Sequence, residues 1–170
     1  DFVAAEDTRV TLKLLNHLGL KKPMMSYYEH ALHHGAAILD RIEAGESCAL
    51  VSDAGMPAIS DPGEELVAQC AERGIPVLAV PGPSAVVTAL ALSGLPTGRF
   101  AFEGFLSVNK KSRREHLQSL SGERRTMVFY EAPHKLPGTL RDLLEALGDR
   151  RVALARELTK VHKEGIRTCL

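Results

Sequence analysis

Residues 50–63 read L-V-S-D-A-G-M-P-A-I-S-D-P-G, and the change of character along this stretch decides the fold. Ala49, Leu50 and Val51 form a short run with strand preference that stops at Ser52-Asp53-Ala54-Gly55. A second turn signal, Ser60-Asp61-Pro62-Gly63, opens a helical segment directly afterwards. In an open α/β sheet, ligands collect outside the carboxyl ends of the strands. A loop rich in glycine, proline and carboxylate at such an end is therefore where chemistry is expected. Asp61 and Pro62 also have a purely structural reading, as helix N-cap and first helical residue. Asp53-Ala54-Gly55 has less of one, because roughly two to six residues would make the connection.

Working outward, Leu66, Val67 and Cys70 mark the buried face of the following helix, which Gly74 ends, and Val77–Val80 reads as a further apolar strand. That strand runs into Pro81-Gly82-Pro83-Ser84-Ala85, a second loop of the same kind. Gly82 lets a backbone approach a ligand, and Ser84 caps a helix to Ser93 that is apolar nearly all round. On the other side, Asp1–Ala5 reads as the middle and end of a strand, so the chain is expected to start inside a longer domain. Glu6-Asp7-Thr8-Arg9 follows, then a helix with Val10, Leu14, Leu15 and Leu18 on one face, capped by Asp7 or Thr8 and closed by Gly19. Pro23–Tyr27 is a second strand, and Ile38, Leu39 and Ile42 mark a helix that Gly45 stops. This alternation, with strands too apolar to face water, predicts a parallel sheet with helices on both faces.

Gly94-Leu95-Pro96-Thr97-Gly98 is the expected boundary, giving an N-terminal α/β domain over 1–96 and a C-terminal α/β domain over 97–170. The second half begins with a strand (Phe100–Glu103) and reaches the only dense basic run, Lys110, Lys111, Arg113 and Arg114. Cations at a helix start oppose the helix dipole, so the run invites a phosphate reading beside that of a solvated face. Thr126–Tyr130 is a strand ending in Glu131-Ala132-Pro133-His134, and Leu136–Leu147 is an amphipathic helix. Val152–Ala155 leads into Arg156-Glu157-Leu158-Thr159-Lys160, and Val161–Leu170 has no clear period.

Composition bounds the function classes. In 170 residues, 45% are hydrophobic and 25% charged, as in globular proteins. Lys plus Arg equals Asp plus Glu at 21 each, so global charge does not advertise nucleic acid and only a local patch can. Cys48, Cys70 and Cys169 are odd in number and lack C-x-x-C spacing, which argues against a disulfide framework and a structural zinc site. A reducing, cytoplasmic location is expected, with no membrane span. His30, His33 and His34 share a helix face, but Glu29 is the only acid near them, and we expect no metal.

Six motifs carry a resemblance. A-E-D-T-R (Ala5–Arg9), S-D-A-G-M-P-A-I-S-D-P-G (Ser52–Gly63) and P-G-P-S-A (Pro81–Ala85) are followed by F-E-G-F-L (Phe102–Leu106), F-Y-E-A-P-H (Phe129–His134) and A-R-E-L-T-K (Ala155–Lys160). In order and spacing the series resembles the ribosomal RNA small-subunit methyltransferase I family of the tetrapyrrole methylase superfamily. The resemblance implies two α/β domains with S-adenosylmethionine in the cleft between them, a homodimer, and methylation of the ribose 2′-hydroxyl of a cytidine in 16S ribosomal RNA. It implies cofactor binding at Asp53, Ala54, Gly55, Pro57 and Ile59, at Pro81, Gly82, Ser84 and Ala85, and at Tyr130 and Arg156. Asp7, Glu131 and Lys160 are the catalytic candidates, and Arg9, Lys110, Lys111, Arg113 and Arg114 the RNA contacts.

The family's opening strand with its P-T-P-I-G-N-L loop, and its later G-E-x-V segment, have no counterpart in the sequence. Tyr28 and Ala31 replace a usual His and Asn, Met56 a usual Thr, and Ser107 a usual Pro. The residues themselves fit the chemistry. Asp53, Gly55, Pro57, Ile59, Gly82 and Ser84 supply the carboxylate, the close backbone approach and the apolar slot that an adenosylmethionine site needs. A ribose hydroxyl needs a base or a nearby cation, and Glu6, Asp7, Glu131, Glu157 and Lys160 all sit where strands end, leaving the base open. Arg9, Arg156 and the Lys110 run are placed to hold phosphates. Two other readings stand beside this one: a corrin methylase of the same fold, and a non-catalytic ligand-binding fragment.

Overall fold

The computed structural model describes residues 1–28 and 32–170, the side chains of residues 32–34 excepted. The chain divides into two compact units, Asp1–Pro83 and Ser84–Leu170. In the first, β1 (Phe2–Ala5), α1 (Thr8–His17), β2 (Met24–Ser26), α2 (Leu32–Glu43), β3 (Cys48–Val51) and α3 (Glu64–Glu72) follow one another. The three strands form one parallel sheet in the order β2-β1-β3, with Val3 opposite Met24 and Ala49. All four residues of β1 are buried, as a central parallel strand covered on both faces requires. Phe2 and Ala4 join Tyr27, Ile38, Leu39, Leu66 and Cys70 in the core of this unit.

Local chemistry sets the ends of these elements. Asp7 is the N-cap of α1, its carboxylate accepting the Arg9 N–H at 2.8 Å. The helix after the central loop starts later than Asp61 and Pro62 suggest: Gly63 is the N-cap of α3, and both residues stay in the loop. The strand expected at Val77–Val80 is also corrected. The segment is in no sheet, and Leu78 and Val80 are 90% and 84% exposed, because the described sheet ends at β3 and offers the segment no ladder. The histidine cluster lies at the edge of what is described, His30 outside it and the side chains of His33 and His34 likewise. Among the described residues no group of side chains has the makings of a metal site.

The second unit holds α4 (Ala85–Ser93), β4 (Phe100–Phe105), α5 (Lys110–Ser119), β5 (Thr126–Tyr130), α6 (Leu136–Leu147), β6 (Arg151–Arg156) and β7 (Glu164–Cys169). β4 and β5 pair in parallel, whereas β6 and β7 form an antiparallel ribbon. Leu106, Leu117 and Leu143 make the core, with Phe129, Ala146, Leu147 and Leu170 packed on it. β7 falls in the stretch that shows no period in the sequence. All six of its residues are exposed, so no apolar face is written into it. The units part at Pro83–Ser84 rather than at the expected 96–97, and α4 is the reason. The Arg167 guanidinium on β7 donates to the Ser93 carbonyl at 3.2 Å and to that of Leu92, tying the C-terminus of α4 to the ribbon. No helix among the described residues is long and apolar enough to cross a membrane.

Candidate functional site

In the first unit the carboxyl ends of β1 and β3 lie side by side, and their loops are cross-linked. The Glu6 N–H donates to the Val51 carbonyl at 3.1 Å, and the Asp53 N–H donates to Glu6 Oε2 at 2.9 Å. The Ser52 hydroxyl closes the turn on the Gly55 carbonyl at 3.3 Å. Gly55 has φ +85°, and a Cβ placed on it would stand 3.4 Å from the carbonyl oxygen of Pro83. The loop Asp53–Gly55 and the loop Pro81–Pro83 therefore meet, as the sheet order alone does not reveal. Ala58 and Ser60 adopt left-handed backbone at φ +65° and +59°, winding the loop so that Gly63 comes back against Leu50. Asp53, Ala54 and Gly55 are exposed at its tip, Pro57 is half-buried, and Ile59 is exposed.

Charge at this end of the unit is mainly negative. Burial pushes the Asp61 carboxyl up, and Glu6 and Asp53 push it further in the same direction. Asp7 goes the other way. The Arg9 guanidinium grips its carboxylate at 2.6 Å, and this bond with the backbone bond from Arg9 lowers it from 3.8 to about 2. Arg9 itself stays 88% exposed.

In the second unit, β5 delivers Tyr130 and Glu131. The Tyr130 ring makes edge contacts with Phe102 and Phe105 at centroid distances of 5.0 and 5.4 Å. Glu131 Oε1 accepts the Ala132 N–H at 2.8 Å, and Oε2 accepts the Thr139 hydroxyl. The Arg113 guanidinium completes the group, donating to Thr139 Oγ1 at 2.8 Å and to Asp142 at 2.6 Å, with Glu131 at 3.9 Å. Of the four basic residues in the 110–114 run, Arg113 is thus turned into a network and its side chain is only 17% exposed. Lys110, Lys111 and Arg114 remain exposed on α5. Thr139 is the member that the sequence reading missed, since a threonine inside an amphipathic helix carries no signal of its own.

The turn between β6 and β7 holds the remaining candidates. Lys160 donates to Glu157 at 2.9 Å, and Glu157 sits in left-handed backbone at φ +55°. Arg156 lies opposite Glu164 in the ribbon, their charged groups 3.6 Å apart, so it serves a cross-strand pair. Ser84 is the N-cap residue of α4 without a side-chain cap bond, and Ala85 is its first residue. Between α4 and the ribbon lies an open cavity of about 340 Å³ with Leu92, Ala153, Ala155, Leu158 and Ile166 in its wall. None of the site residues expected from the sequence lines it.

The family model described as Tetrapyrrole (Corrin/Porphyrin) Methylases matches residues 1–170. A protein of Synechocystis named "Ribosomal RNA small subunit methyltransferase I" is 52% identical over 166 residues, covering 96% of this chain and 60% of the relative. A protein of the same name from Halalkalibacterium halodurans is 50% identical, covering 100% of this chain and 59% of the relative. For the Thermotoga maritima protein of that name the figures are 51%, 98% and 75%. The chain thus spans about 60% of the length of the first two relatives.

Proposed function

We propose, from the premise that this chain belongs to the tetrapyrrole (corrin/porphyrin) methylase family, that it is the catalytic part of an S-adenosylmethionine-dependent methyltransferase acting on small-subunit ribosomal RNA. The observation that carries this reading is the identity of about half the residues, along nearly the whole chain, with proteins named for that activity. The finer proposal is methylation of the ribose 2′-hydroxyl of a cytidine in 16S RNA, by a homodimer in the cytoplasm.

The residues of the first unit fit the cofactor. A Cβ at Gly55 would just touch the Pro83 carbonyl oxygen at 3.4 Å, and it is the φ of +85° that favours glycine where the two loops meet. Glu6, Asp53 and Asp61 give the end of the sheet a negative field suited to a molecule that carries a sulfonium and an ammonium group. When bound, adenosylmethionine supplies an already activated methyl group. The protein then has to align the acceptor oxygen and take or stabilise its proton, and alignment alone is worth roughly 7–11 kcal/mol. Asp53, Ala54, Gly55, Pro57 and Ile59 with Pro81, Gly82, Ser84 and Ala85 are assigned to the cofactor, together with Tyr130 and Arg156.

Among the catalytic candidates, Asp7 near a pKa of 2 is a weak proton acceptor, and its work is to cap α1 and hold Arg9. Glu131, held from three sides, orients the end of β5. Lys160 offers a cation that favours an ionising hydroxyl. The test is incubation with methyl-labelled adenosylmethionine and unmethylated small-subunit RNA, followed by mass analysis of the nucleosides. Label in 2′-O-methylcytidine supports the proposal. Label on a base, or on a corrin in place of RNA, contradicts it.

A further inference from the structure

We infer that Phe105 is a stacking platform for an unpaired base of the RNA substrate, a role that rests on the RNA reading above and adds a residue to it. Strand parity is the starting point. In a regular strand Phe102 and Phe105, three apart, point to opposite faces of the sheet. Here the register of β4 against β5 shifts between Phe102 and Gly104, and Gly104 takes φ +62°. The irregularity inserts one residue and brings both rings to the same side, where both meet Tyr130 edge-on. The result is an aromatic row whose inner rings are half-buried while the outer one, Phe105, is 58% exposed.

The residues after Phe105 argue for the occupant. Leu106 goes into the core and anchors the turn, and Asn109 caps α5 by accepting the N–H groups of Lys111 and Ser112 at 3.0 and 3.1 Å. The basic start of α5 is therefore fixed a few residues from the open ring. The Lys111 side chain is 86% exposed, with only Glu115 at 3.9 Å, and neither Lys110 nor Arg114 has an ion pair among the described residues. These cations oppose the helix dipole and gain little from protein anions, which suits them to phosphate. An exposed aromatic ring followed a few residues later by exposed cations supplies the two elements that hold single-stranded RNA, base on ring and backbone on cations.

The chain has no tryptophan, so Phe105→Trp places a single fluorescent reporter on the platform. The full chain carrying it is titrated with a short single-stranded oligocytidylate, with the same sugar-phosphate backbone lacking bases, and with inorganic polyphosphate. Saturable quenching by the oligocytidylate, absent with the other two, is expected. In parallel, Phe105→Leu should weaken oligocytidylate binding by about five- to a hundredfold, whereas Phe105→Tyr should bind within about twofold of the parent. Circular dichroism checks that the variants keep their helix content. Equal quenching by the base-free polymer, full affinity in Phe105→Leu, or a change of emission with protein concentration alone would overturn the inference. Salt-dependent binding of oligocytidylate that Phe105→Leu leaves unchanged removes the stacking role and keeps the RNA reading. Absence of any RNA binding removes both.

Discussion

Gly63 shows how a single position fixes the central loop. Its φ of +139° is closed to ordinary side chains, and a Cβ there would stand 2.6 Å from Leu50 Cδ2 and 3.2 Å from the Ala58 Cβ. Gly63→Ala should lower stability by about 1–3 kcal/mol. At Gly74, with φ +67° and no atom within 4 Å of an added Cβ, the same change should cost about 1 kcal/mol. Urea unfolding of both variants checks the contrast. Asp61 carries a second prediction at this scale. Its folded-state pKa is raised, so the folded protein holds this proton more tightly than the unfolded chain, and stability falls as pH rises through that pKa. Asp61→Asn should therefore raise the melting temperature at neutral pH, by an amount that shrinks as pH drops below the usual aspartate range. A melting series from neutral to acidic pH reads it directly.

Among the elements, the Arg113–Thr139–Glu131–Asp142 network joins α5, α6 and the end of β5 through half-buried charges. Thr139 is 3% exposed and its hydroxyl both donates to Glu131 and accepts from Arg113. Thr139→Val keeps the shape and strands both partners, so a loss of about 1–3 kcal/mol is expected in chemical denaturation. The elements also show what the sequence could convey. Strands β1 and β3 and their turns were legible because apolar runs end abruptly at Ser, Asp and Gly. Val77–Val80 has the same composition and is no strand, since apolar character expresses a preference while a ladder needs a neighbour. β7 fails in the opposite sense: its Glu164, Arg167 and Thr168 give no periodicity, and its pairing with β6 comes from the turn and the register. The basic run was visible as a run, but only the fold separates Arg113, spent on Asp142, from its exposed neighbours.

For the molecule as a whole, we assign cofactor binding to two loops at the carboxyl end of the first sheet. Their contact through Gly55 and Pro83 was not legible, because it depends on how residues 52–63 wind through two left-handed non-glycine positions. Asp53 and Gly82 allow the claim to be tested without disturbing the fold. The bond from the Asp53 backbone to Glu6 survives replacement of its side chain, and an added Cβ at Gly82 meets only the Val80 carbonyl oxygen at 3.9 Å. The most direct measurement is calorimetric titration of S-adenosylmethionine into the parent chain and into Asp53→Ala and Gly82→Ala. A saturable heat in the parent, with affinity reduced about ten- to a hundredfold in Asp53→Ala and clearly weakened in Gly82→Ala at unchanged melting temperature, is the predicted result. No binding by the parent, or equal affinity in all three, would contradict it.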